Sequence, residues 1–510
     1  MSLVTTNLTL DLLGILVALV CVTVAYLKWS MTYWKRMNVP YSEPKFPFGN
    51  LSNPLSKHRR HNGEQLEEVY MEARARGLKC IGMYFMTSPG ILLADLDYVK
   101  LIMTKDFNNF SDRGLYYNEK TDPISAHLIS ISGSKWRNLR RKVTPTFSTG
   151  KMKSMFPILL ECGKLLETEV AIKAKSKEAV DIKDMLEKFT MDIIGSCAFG
   201  LECNSFEDDN SPFRVYGKRI FTSSVRETFR RIVCISFPHI ARALGVRVFD
   251  AEISKFFYGV VNDSIKYREE NNIVRKDFLQ LVMDMKSKNN EYKGDGNELT
   301  MDEIVAQCFV FFAAGYETSA TTMTFTLYEL ARHQTIQDKL RKEINDVLKK
   351  HNNELTYEVL NDMTYLSQVL DESLRIHPPI PNVPRVCLSD YKLPESNIVV
   401  KKGMRVIIPI MGIQHDPKHF DNPLEYNPDR FSPENKQKID QFAYIPFGEG
   451  SRNCIGLRFG LMQSKLGLIS LIKNHRLTLN ERTRVPLRIA ATTFVQSPAD
   501  GVWIHFEKVS

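Results

Sequence analysis

One cysteine stands in a glycine-rich loop that can present a thiolate to a ligand. Residues 447–456 are Phe-Gly-Glu-Gly-Ser-Arg-Asn-Cys-Ile-Gly, and the two glycines before Cys454 allow a tight turn whose backbone approaches a flat ligand. Apolar residues at helical spacing follow from Leu457 to Leu471, so Cys454 is predicted just before a helix N-terminus, where backbone N–H groups favour a thiolate. A lone thiolate held in this way suits the axial position of a haem iron. Arg452 is placed to reach an anionic group beside the ligand plane.

Other roles for Cys454 follow from residue chemistry alone. A single cysteine among nine is more often a small buried apolar residue. A zinc site is disfavoured, since no second Cys or His stands within four residues. The ordered set Phe447, Gly450, Arg452, Cys454 and Gly456 resembles the haem-ligand loop of the cytochrome P-450 family, the haem-thiolate monooxygenases. That resemblance favours Cys454 as the iron ligand, with Phe447, Arg452 and Gly456 as cofactor-binding residues.

A long apolar helix is predicted between Thr300 and about His333. The sequence Thr-Met-Asp-Glu at 300–303 has the form of a capping box, and at about 1.5 Å per residue the helix would be roughly 50 Å long. Its middle contains Ala-Gly-Tyr-Glu-Thr at 314–318, where an interior glycine costs about 1 kcal/mol relative to alanine. Such departures are typical of functional sites, and Gly315 is predicted to permit a kink or local widening. A tolerated helix defect is the alternative.

This segment is similar to the oxygen-activation motif of the same family. The resemblance implies that Thr318 and Glu317 are catalytic and deliver protons to bound oxygen, with Ala314 against the haem. Apolar residues around them would offer hydrophobic contact and little to fix a substrate's orientation. The residues predicted to line the substrate pocket are Tyr116, Val310, Phe311, Ala313, Ile380 and Val383.

Basic residues elsewhere in the chain are predicted to bind the haem propionates. Trp136 and Arg140 are four residues apart and share one face of a predicted helix; a solvated helix with a buried indole is the alternative. With a haem in place, the indole N–H and the guanidinium match a propionate. The resemblance places Arg385 and Arg113 at propionates as well. The other basic residues of this helix would suit an acidic electron donor.

A Glu-x-x-Arg pair occurs near the end of a helix predicted from Leu366 to Ile376. Glu372 and Arg375 lie on one face and can form an ion pair, although such a pair alone carries little information. Together with Arg430, they resemble the buried Glu-Arg-Arg cluster of the family, a structural lock behind the haem loop. Asp429, where the family often has Glu, is a small departure from the pattern.

The motifs run in family order and therefore imply the cytochrome P-450 fold: mainly α with a smaller β region, and a single haem-binding domain over residues 51–510. Two short strands are predicted within residues 80–96 around a turn at Thr87–Gly90. Helices are predicted at Phe213–Phe229 and Ile253–Asn271. The segment Ile235–Val248 between them is either core or a contact with a bilayer surface.

The beginning of the chain is predicted to be a membrane anchor, residues 1–34. Leu12–Leu27 carries no charge and is nearly long enough to cross a bilayer, with Tyr26, Trp29, Tyr33 and Trp34 as interface residues. Lysine and arginine follow this stretch and none precedes it, which places the body on the cytosolic side of the endoplasmic reticulum membrane. A cleaved signal peptide is the alternative. Residues 35–50, with three prolines, are predicted to be a semi-rigid hinge.

The charge and the cysteine content of the chain limit the kinds of molecule that it can be expected to bind. The net charge is +9, and the basic residues are spread along the chain rather than clustered, which argues against nucleic acid and permits an acidic partner or an anionic membrane. Nine scattered cysteines, an odd number, indicate a reducing compartment. No nucleotide-binding glycine fingerprint follows a predicted strand, so electrons would come from outside.

The resemblance, close to microsomal insect detoxification-type (family 6) enzymes, implies a monooxygenase that contains haem b. It would insert one atom of O2 into lipophilic molecules, with electrons from NADPH–cytochrome P-450 reductase and from cytochrome b5. Two alternatives stay open at this point. One is a haem-thiolate isomerase or dehydratase, and the other is a non-catalytic haem protein that sequesters lipophilic ligands.

Overall fold

The computed structural model describes residues 8–53, 56, 58–221, 224–287 and 299–509. The helices in these residues are α1 (Leu8–Ser30), α2 (Tyr33–Arg36), α3 (Asn62–Ala75), α4 (Leu96–Lys100), α5 (Gly133–Val143), α6 (Thr149–Ser176), α7 (Ile182–Phe199), α8 (Pro212–Phe221), α9 (Val225–Ser236), α10 (Pro238–Ala243), α11 (Ala251–Asn271), α12 (Phe278–Ser287), α13 (Met301–Arg332), α14 (Gln334–Lys350), α15 (Val359–Asp362), α16 (Thr364–Ile376), α17 (Ile410–Gln414), α18 (Pro433–Lys436) and α19 (Leu457–Ile472). The strands are β1 (Cys80–Phe85), β2 (Ser88–Leu93), β3 (Val180–Asp181), β4 (Val383–Val386), β5 (Tyr391–Lys392), β6 (Val399–Val400), β7 (Arg405–Ile408), β8 (His475–Leu479) and β9 (Trp503–Lys508).

Helix α13 is the centre of the helical core and packs against α7, α16 and α19. The predicted capping box is confirmed: the Thr300 hydroxyl accepts from the N–H of Glu303 at 3.2 Å, and the Glu303 carboxylate accepts from the N–H of Thr300 at 2.8 Å. The helix is continuous over 32 residues, and the kink or local widening expected at Gly315 stays a prediction. A Cβ at Gly315 would collide with the Ile194 side chain, so the glycine permits the close approach of α7.

The β region consists of three small sheets. The largest has the order β1-β2-β7-β4, with β1 and β2 antiparallel and β2 parallel to β7. The predicted hairpin is confirmed, but its turn lies earlier than predicted: Phe85 pairs with Ser88, and Met86 takes the positive φ of 54°. The other sheets have the orders β3-β9-β8 and β5-β6. Buried side chains of the four-stranded sheet and α3 form a second core beside the helical one.

Most predicted helices are confirmed, and one is wrong. The segments Ile253–Asn271 and Leu366–Ile376 lie within α11 and α16, and α19 follows the cysteine loop. The single helix predicted at Phe213–Phe229 is two helices, and residues 222–223 between them lie outside the described residues. The break has a local cause, because Ser224 and Glu227 form a capping box that starts α9.

Helix α1 is apolar and exposed. Thr9–Ser30, 22 residues with a mean hydropathy of 2.5, is long enough and apolar enough to cross a membrane, and none of it is buried against the rest of the protein. This fits a membrane anchor.

The prediction that Trp34 lies at the membrane interface is wrong. It is 1% exposed, its Nε1 donates to the Met83 carbonyl at 3.1 Å, and its ring occupies the space where Gly82 lacks a side chain. The following connector runs along β1: the N–H of Gly82 donates to Pro40 and that of Ser42 donates to Gly82, both at 2.9 Å. The connector is therefore bound to the sheet, and its role as a hinge stays a prediction.

Candidate active site

The loop before α19 holds Cys454 in a closed turn. Gly448 and Gly450 have φ values of 69° and 71°, a region that favours glycine. A Cβ at Gly450 would also collide with the Met103 carbonyl oxygen. The N–H of Cys454 donates to the Phe447 carbonyl at 2.8 Å and closes the turn. Because α19 starts at Leu457, the prediction of a cysteine just before a helix N-terminus is confirmed.

The Cys454 side chain borders an enclosed space. Part of the side-chain surface is accessible, yet burial among protein atoms raises the pKa of the thiol. The accessible part therefore faces a space inside the protein rather than the outer surface. The N–H of Gly456 and the charges of Arg113 and Arg140 act in the opposite direction and favour the thiolate. A metal cation bound to the sulfur would favour the thiolate further.

Four guanidinium groups converge near this sulfur. Arg452 is 2% exposed and donates to the carbonyls of Ser111 at 2.8 Å and Ile131 at 2.9 Å. Arg113 donates to the Arg452 carbonyl at 3.0 Å. Arg140 of α5 donates to Asn453 Oδ1 at 2.7 Å, and Arg385 of β4 completes the group.

The arginine group lacks matching negative charge among the described residues. Burial lowers the pKa of Arg385 to about 9, that of Arg452 to about 9 and that of Arg113 to about 10. Asp112, 3.6 Å from Arg452, is the one described carboxylate paired with any of the four. The Nε of Arg385 is buried and has no hydrogen-bond partner in the described chain. Such a group is stable only with anions beside it, and two propionates meet that need.

Trp136 supports this group from α5. It is 3% exposed, and the Arg452 guanidinium lies 3.9 Å from its ring centroid. This geometry is a cation–π contact, so the structure brings Trp136 to the predicted arginines through Arg452. Direct contact of its indole N–H with a propionate stays a prediction.

One face of α13 opens to the enclosed space. Ala314 is exposed in the middle of an otherwise buried helix, and Val310 and Thr318, four residues to either side, are partly exposed. A Cβ at Gly456 would meet only the Phe147 ring, at 4.0 Å, so the backbone beside the cysteine is open too. Small side chains on both sides leave room for a flat cofactor between α13 and the loop, and the residues present therefore fit a haem.

Phe311 was predicted on this open face, and that prediction is wrong. Its ring stacks on Phe278 at 4.5 Å and contacts Phe459 at 5.3 Å and Phe147 at 5.6 Å. The side chain therefore belongs to the core between α12, α13 and α19. Ala313, with 9% exposure, lies at the edge of the core.

The two predicted catalytic residues have different surroundings. The Thr318 hydroxyl donates to the Ala314 carbonyl at 2.6 Å, as predicted for a threonine in a helix. Glu317 is buried, and its carboxylate lies 3.2 Å from Lys183 Nζ of α7, which also contacts Glu187. Burial raises the pKa of Glu317, although the charge of Lys183 opposes that shift.

The Glu-Arg-Arg cluster is assembled behind the loop. Arg375 donates to both oxygens of Glu372, at 2.7 and 2.9 Å, and both residues are fully buried. Arg430 Nε lies 3.3 Å from Glu372 Oε1. Arg375 also donates to the carbonyl of Gln414 at 2.9 Å. The cluster thus ties α16 to α17 and to the chain before α18.

Three further residues, Tyr116, Ile380 and Val383, are predicted to line the substrate pocket. Tyr116 is 8% exposed, its hydroxyl donates to the Val246 carbonyl at 2.7 Å, and its ring packs with residues of α9 and α10. Ile380 and Val383 are partly exposed beside β4. Their place in a substrate pocket stays a prediction.

Sequence reasoning missed three residues near the site: Asp112, Lys183 and His127. Asp112 and Lys183 are partners of predicted residues, and nothing in their local pattern distinguishes them from surface charges. His127 precedes the loop whose carbonyls bind Arg452. A groove of about 780 Å³ between α8 and α11 is lined by other residues and is separate from the site.

The comparisons with known proteins agree with this geometry. The family model described as Cytochrome P450 matches residues 44–504. Cytochrome P450 6a8 of Drosophila melanogaster is 39% identical over 98% of this chain and 100% of its own length. Cytochrome P450 6A1 of Musca domestica is 38% identical over 98% of this chain and 97% of its own length.

The fold and the family match are those of the haem-thiolate monooxygenases. The chain belongs to the cytochrome P450 family, and the resemblance to insect members of family 6 is confirmed. The family carries a haem iron and generally uses O2, a redox partner and lipophilic substrates.

Proposed function

We propose that this protein is a microsomal monooxygenase that oxidises lipophilic small molecules such as xenobiotics, plant toxins, insecticides or endogenous lipids. One oxygen atom of O2 enters the substrate and the other leaves as water, with two electrons from NADPH and two protons completing the balance. The electrons come through NADPH–cytochrome P-450 reductase, with cytochrome b5 as a second donor. The observation that carries the proposal is an inward-facing thiol beside four guanidiniums that have a single described carboxylate among them.

The geometry supports a set of residues that would hold the cofactor, proposed to be haem b. Cys454 would provide the iron ligand, the N–H of Gly456 would stabilise its sulfur, and Arg113, Arg140, Arg385 and Arg452 would bind the propionates. The bound haem supplies the activation of O2. The exposed face of α13 around Ala314 would leave space for a substrate beside the cofactor.

Thr318 is proposed to hold a proton donor in the enclosed space. Because its hydroxyl hydrogen is directed to the Ala314 carbonyl, the oxygen lone pairs are free to accept a hydrogen bond from a water or a protonated oxygen. Glu317 is proposed to supply protons to this position. In the structure its carboxylate is held against α7 by Lys183, so this role requires the side chain to leave that contact.

The anchor α1 is proposed to hold the protein in the endoplasmic reticulum membrane with the body in the cytosol. Basic residues follow the apolar helix, in accord with the positive-inside rule. The basic side of α5 beside the cysteine loop is the proposed docking surface for the acidic reductase.

Reconstitution with the reductase, NADPH and a lipophilic probe substrate tests the function. We expect oxygenated product that depends on all three, and a thiolate-type absorption band of the reduced carbon monoxide complex that Cys454→Ser abolishes. Thr318→Ala should keep that band but waste most electrons as reduced oxygen. Product formed without reductase would indicate an isomerase or dehydratase, and tight ligand binding without turnover would indicate sequestration; either result overturns the proposal.

A further inference from the structure

Gln463 joins the helix that follows the cysteine loop to the helix that carries Thr318. It lies on α19, which begins at Leu457, and its side chain is fully buried. Its Nε2 donates to the carbonyl of Gly315 on α13 at 3.0 Å. A carbonyl oxygen only accepts, so the nitrogen of the amide must be the atom that faces it. One side chain therefore links the helix after Cys454 directly to the centre of α13.

Packing alone does not account for an amide at this position. The Oε1 of Gln463 is buried and has no hydrogen-bond partner in the part of the chain that the structure describes. A buried acceptor without a partner destabilises the folded protein. Methionine is also unbranched and of similar size, and it would fill the same space without an unpaired oxygen. The hydrogen bond to Gly315 is therefore the feature that distinguishes glutamine here.

Gly315 is the residue of this turn whose backbone has the most conformational freedom, because it has no Cβ. Two neighbouring elements restrain it. The Ile194 side chain of α7 occupies the space where a Cβ would be, and Gln463 binds the carbonyl from α19. In a regular helix this carbonyl accepts from the N–H four residues later, so the amide of Gln463 is a second donor beside the helical hydrogen bonds. These contacts fix the orientation of the peptide group after Gly315.

The preceding peptide group holds Thr318. The Thr318 hydroxyl donates to the Ala314 carbonyl at 2.6 Å, and the carbonyls of Ala314 and Gly315 belong to consecutive peptide groups that meet at the Gly315 Cα. A rotation of the backbone at Gly315 therefore moves the acceptor of the Thr318 hydroxyl. The carbonyl of Thr318 in turn accepts from the Thr322 hydroxyl at 2.8 Å. The place of the Thr318 hydroxyl thus depends on a turn that Gln463 holds.

We propose that Gln463 is a positioning residue for Thr318. Its amide holds the Gly315 carbonyl, and with it the turn Ala314–Thr318, in the orientation in which the Thr318 hydroxyl binds a proton donor. This inference rests on the proposed function and adds to it a residue from the helix after the cysteine loop. Without the hydrogen bond, the turn takes up other orientations, and more of the electrons leave as reduced oxygen instead of forming product.

The yield of product per NADPH tests the proposal in the full-length holoprotein reconstituted with the reductase. The lipophilic probes are 7-methoxycoumarin, 7-ethoxycoumarin and lauric acid. We expect Gln463→Met to lower this yield about two- to tenfold, the value of one neutral hydrogen bond. The thiolate-type carbon monoxide band and the unfolding midpoint should stay the same or rise, because the volume is kept and an unpaired oxygen is removed. Gln463→Leu carries the same expectation if the methionine variant does not fold.

Gln337→Met is the matched control. Gln337 of α14 is as deeply buried, and its amide donates to the carbonyls of Leu330 at 3.0 Å and Leu477 at 2.9 Å. This substitution should lower the unfolding midpoint, because it leaves buried partners unpaired, and should leave the yield per NADPH unchanged. A purely structural role of Gln463 would give the same pattern as this control.

A double variant tests whether Gln463 acts through Thr318. Addition of Gln463→Met to Thr318→Ala should cause no further loss of yield, because the hydroxyl that the amide positions is already absent. If the unmutated protein shows neither the carbon monoxide band nor any product, the proposed function and this inference both fail. If it makes product, and Gln463→Met keeps the yield or adds its full loss to that of Thr318→Ala, the positioning role is wrong and the monooxygenase proposal stands.

Discussion

The buried charged residues around the cysteine loop are of two kinds: some stabilise the fold, and others have polar atoms left to bind a ligand. Glu372 and Arg375 form two hydrogen bonds with each other, and their remaining polar atoms bond to neighbouring residues, which is the pattern of a structural pair. Arg385 is as deeply buried, but it makes one hydrogen bond, to its neighbour Pro384 at 3.0 Å, and its Nε is unpaired in the described chain. A buried charge without a partner destabilises the protein that contains it. We therefore infer that the burial of Arg385 serves the binding of an anionic group, the proposed haem propionate.

Arg385→Met is expected to weaken haem retention without weakening the apoprotein. Removal of a charge-assisted hydrogen bond of about 1.5–3 kcal/mol corresponds to roughly ten- to a hundredfold faster loss of haem. The unfolding midpoint of the apoprotein should stay the same or rise, because an unpaired buried charge is gone. The measurements are the rate of haem transfer to a scavenging protein and the thermal unfolding of the haem-free variant.

The control for Arg385 is Arg137→Met, an exposed arginine of α5, which should change neither quantity. A variant of Arg385 that loses apoprotein stability and retains its haem would show that this arginine is structural.

At the scale of elements, the cysteine loop depends on its contact with the segment after α4. Gly450 has a positive φ, and the Met103 carbonyl oxygen lies where a Cβ of residue 450 would be. Gly403 in the turn before β7 has a φ of 84° but open space around its missing Cβ. Substitution of Gly403 by alanine would therefore test backbone strain alone, whereas substitution of Gly450 would test backbone strain together with a steric collision.

Gly403→Ala should cost about 1–2 kcal/mol, the cost of a left-handed conformation for alanine. Gly450→Ala should cost more, about 3 kcal/mol or above, because the loop must also move away from Met103. The measurements are the unfolding midpoint and the fraction of protein that shows the thiolate-type carbon monoxide band. Equal effects of the two substitutions would contradict the collision.

The end of α13 is linked to the end of α16 by Glu329. Its carboxylate is 2.8 Å from His377 Nε2 and 3.0 Å from Arg332. Burial alone raises the pKa of Glu329, but the hydrogen bond from His377 and the nearby charges outweigh it, and the pKa is lowered. The folded protein therefore releases this proton more readily than the unfolded chain does.

The ionised Glu329 carboxylate is expected to stabilise the folded protein at pH values above the ordinary glutamate pKa. This stabilisation is lost as the pH falls through the lower pKa that Glu329 has in the folded protein. Glu329→Gln should destabilise the protein at pH 7 by about 1.5–3 kcal/mol and should flatten the decline of stability as the pH falls below the ordinary glutamate pKa. The check is the unfolding midpoint as a function of pH for both proteins. Parallel curves for the two would exclude this carboxylate as a source of acid sensitivity.

At the scale of the whole molecule, the exposed apolar helix α1 ends before Trp34, which is packed on the body of the protein. Helix α1 makes no buried contact over its apolar stretch, whereas Trp34 is docked on β1. A protein lacking residues 2–30 should therefore keep its unfolding midpoint and its carbon monoxide band while losing most membrane association. Sedimentation with microsomes and thermal unfolding are the measurements.

Trp34→Ala in the truncated protein should cost about 3–5 kcal/mol, because a large buried side chain is removed from a filled site. Trp29→Ala in the full-length protein is the matched change, since Trp29 is 55% exposed, and it should leave stability unchanged. If Trp34→Ala were as harmless as Trp29→Ala, the anchor would extend to the beginning of the hinge.

The sequence by itself determined the elements whose signals are local. The capping box at Thr300, the helix after Cys454 and the apolar stretch of α1 each follow from neighbouring residues, and the family motifs follow from fixed spacing. Only the tertiary structure decided which face of each element meets which neighbour. It placed Phe311 in the core, Trp34 against the sheet and Ile194 against Gly315. The physical reason is that side-chain periodicity defines a buried face but not its partner, and partners are chosen by packing between residues that lie tens to hundreds of positions apart.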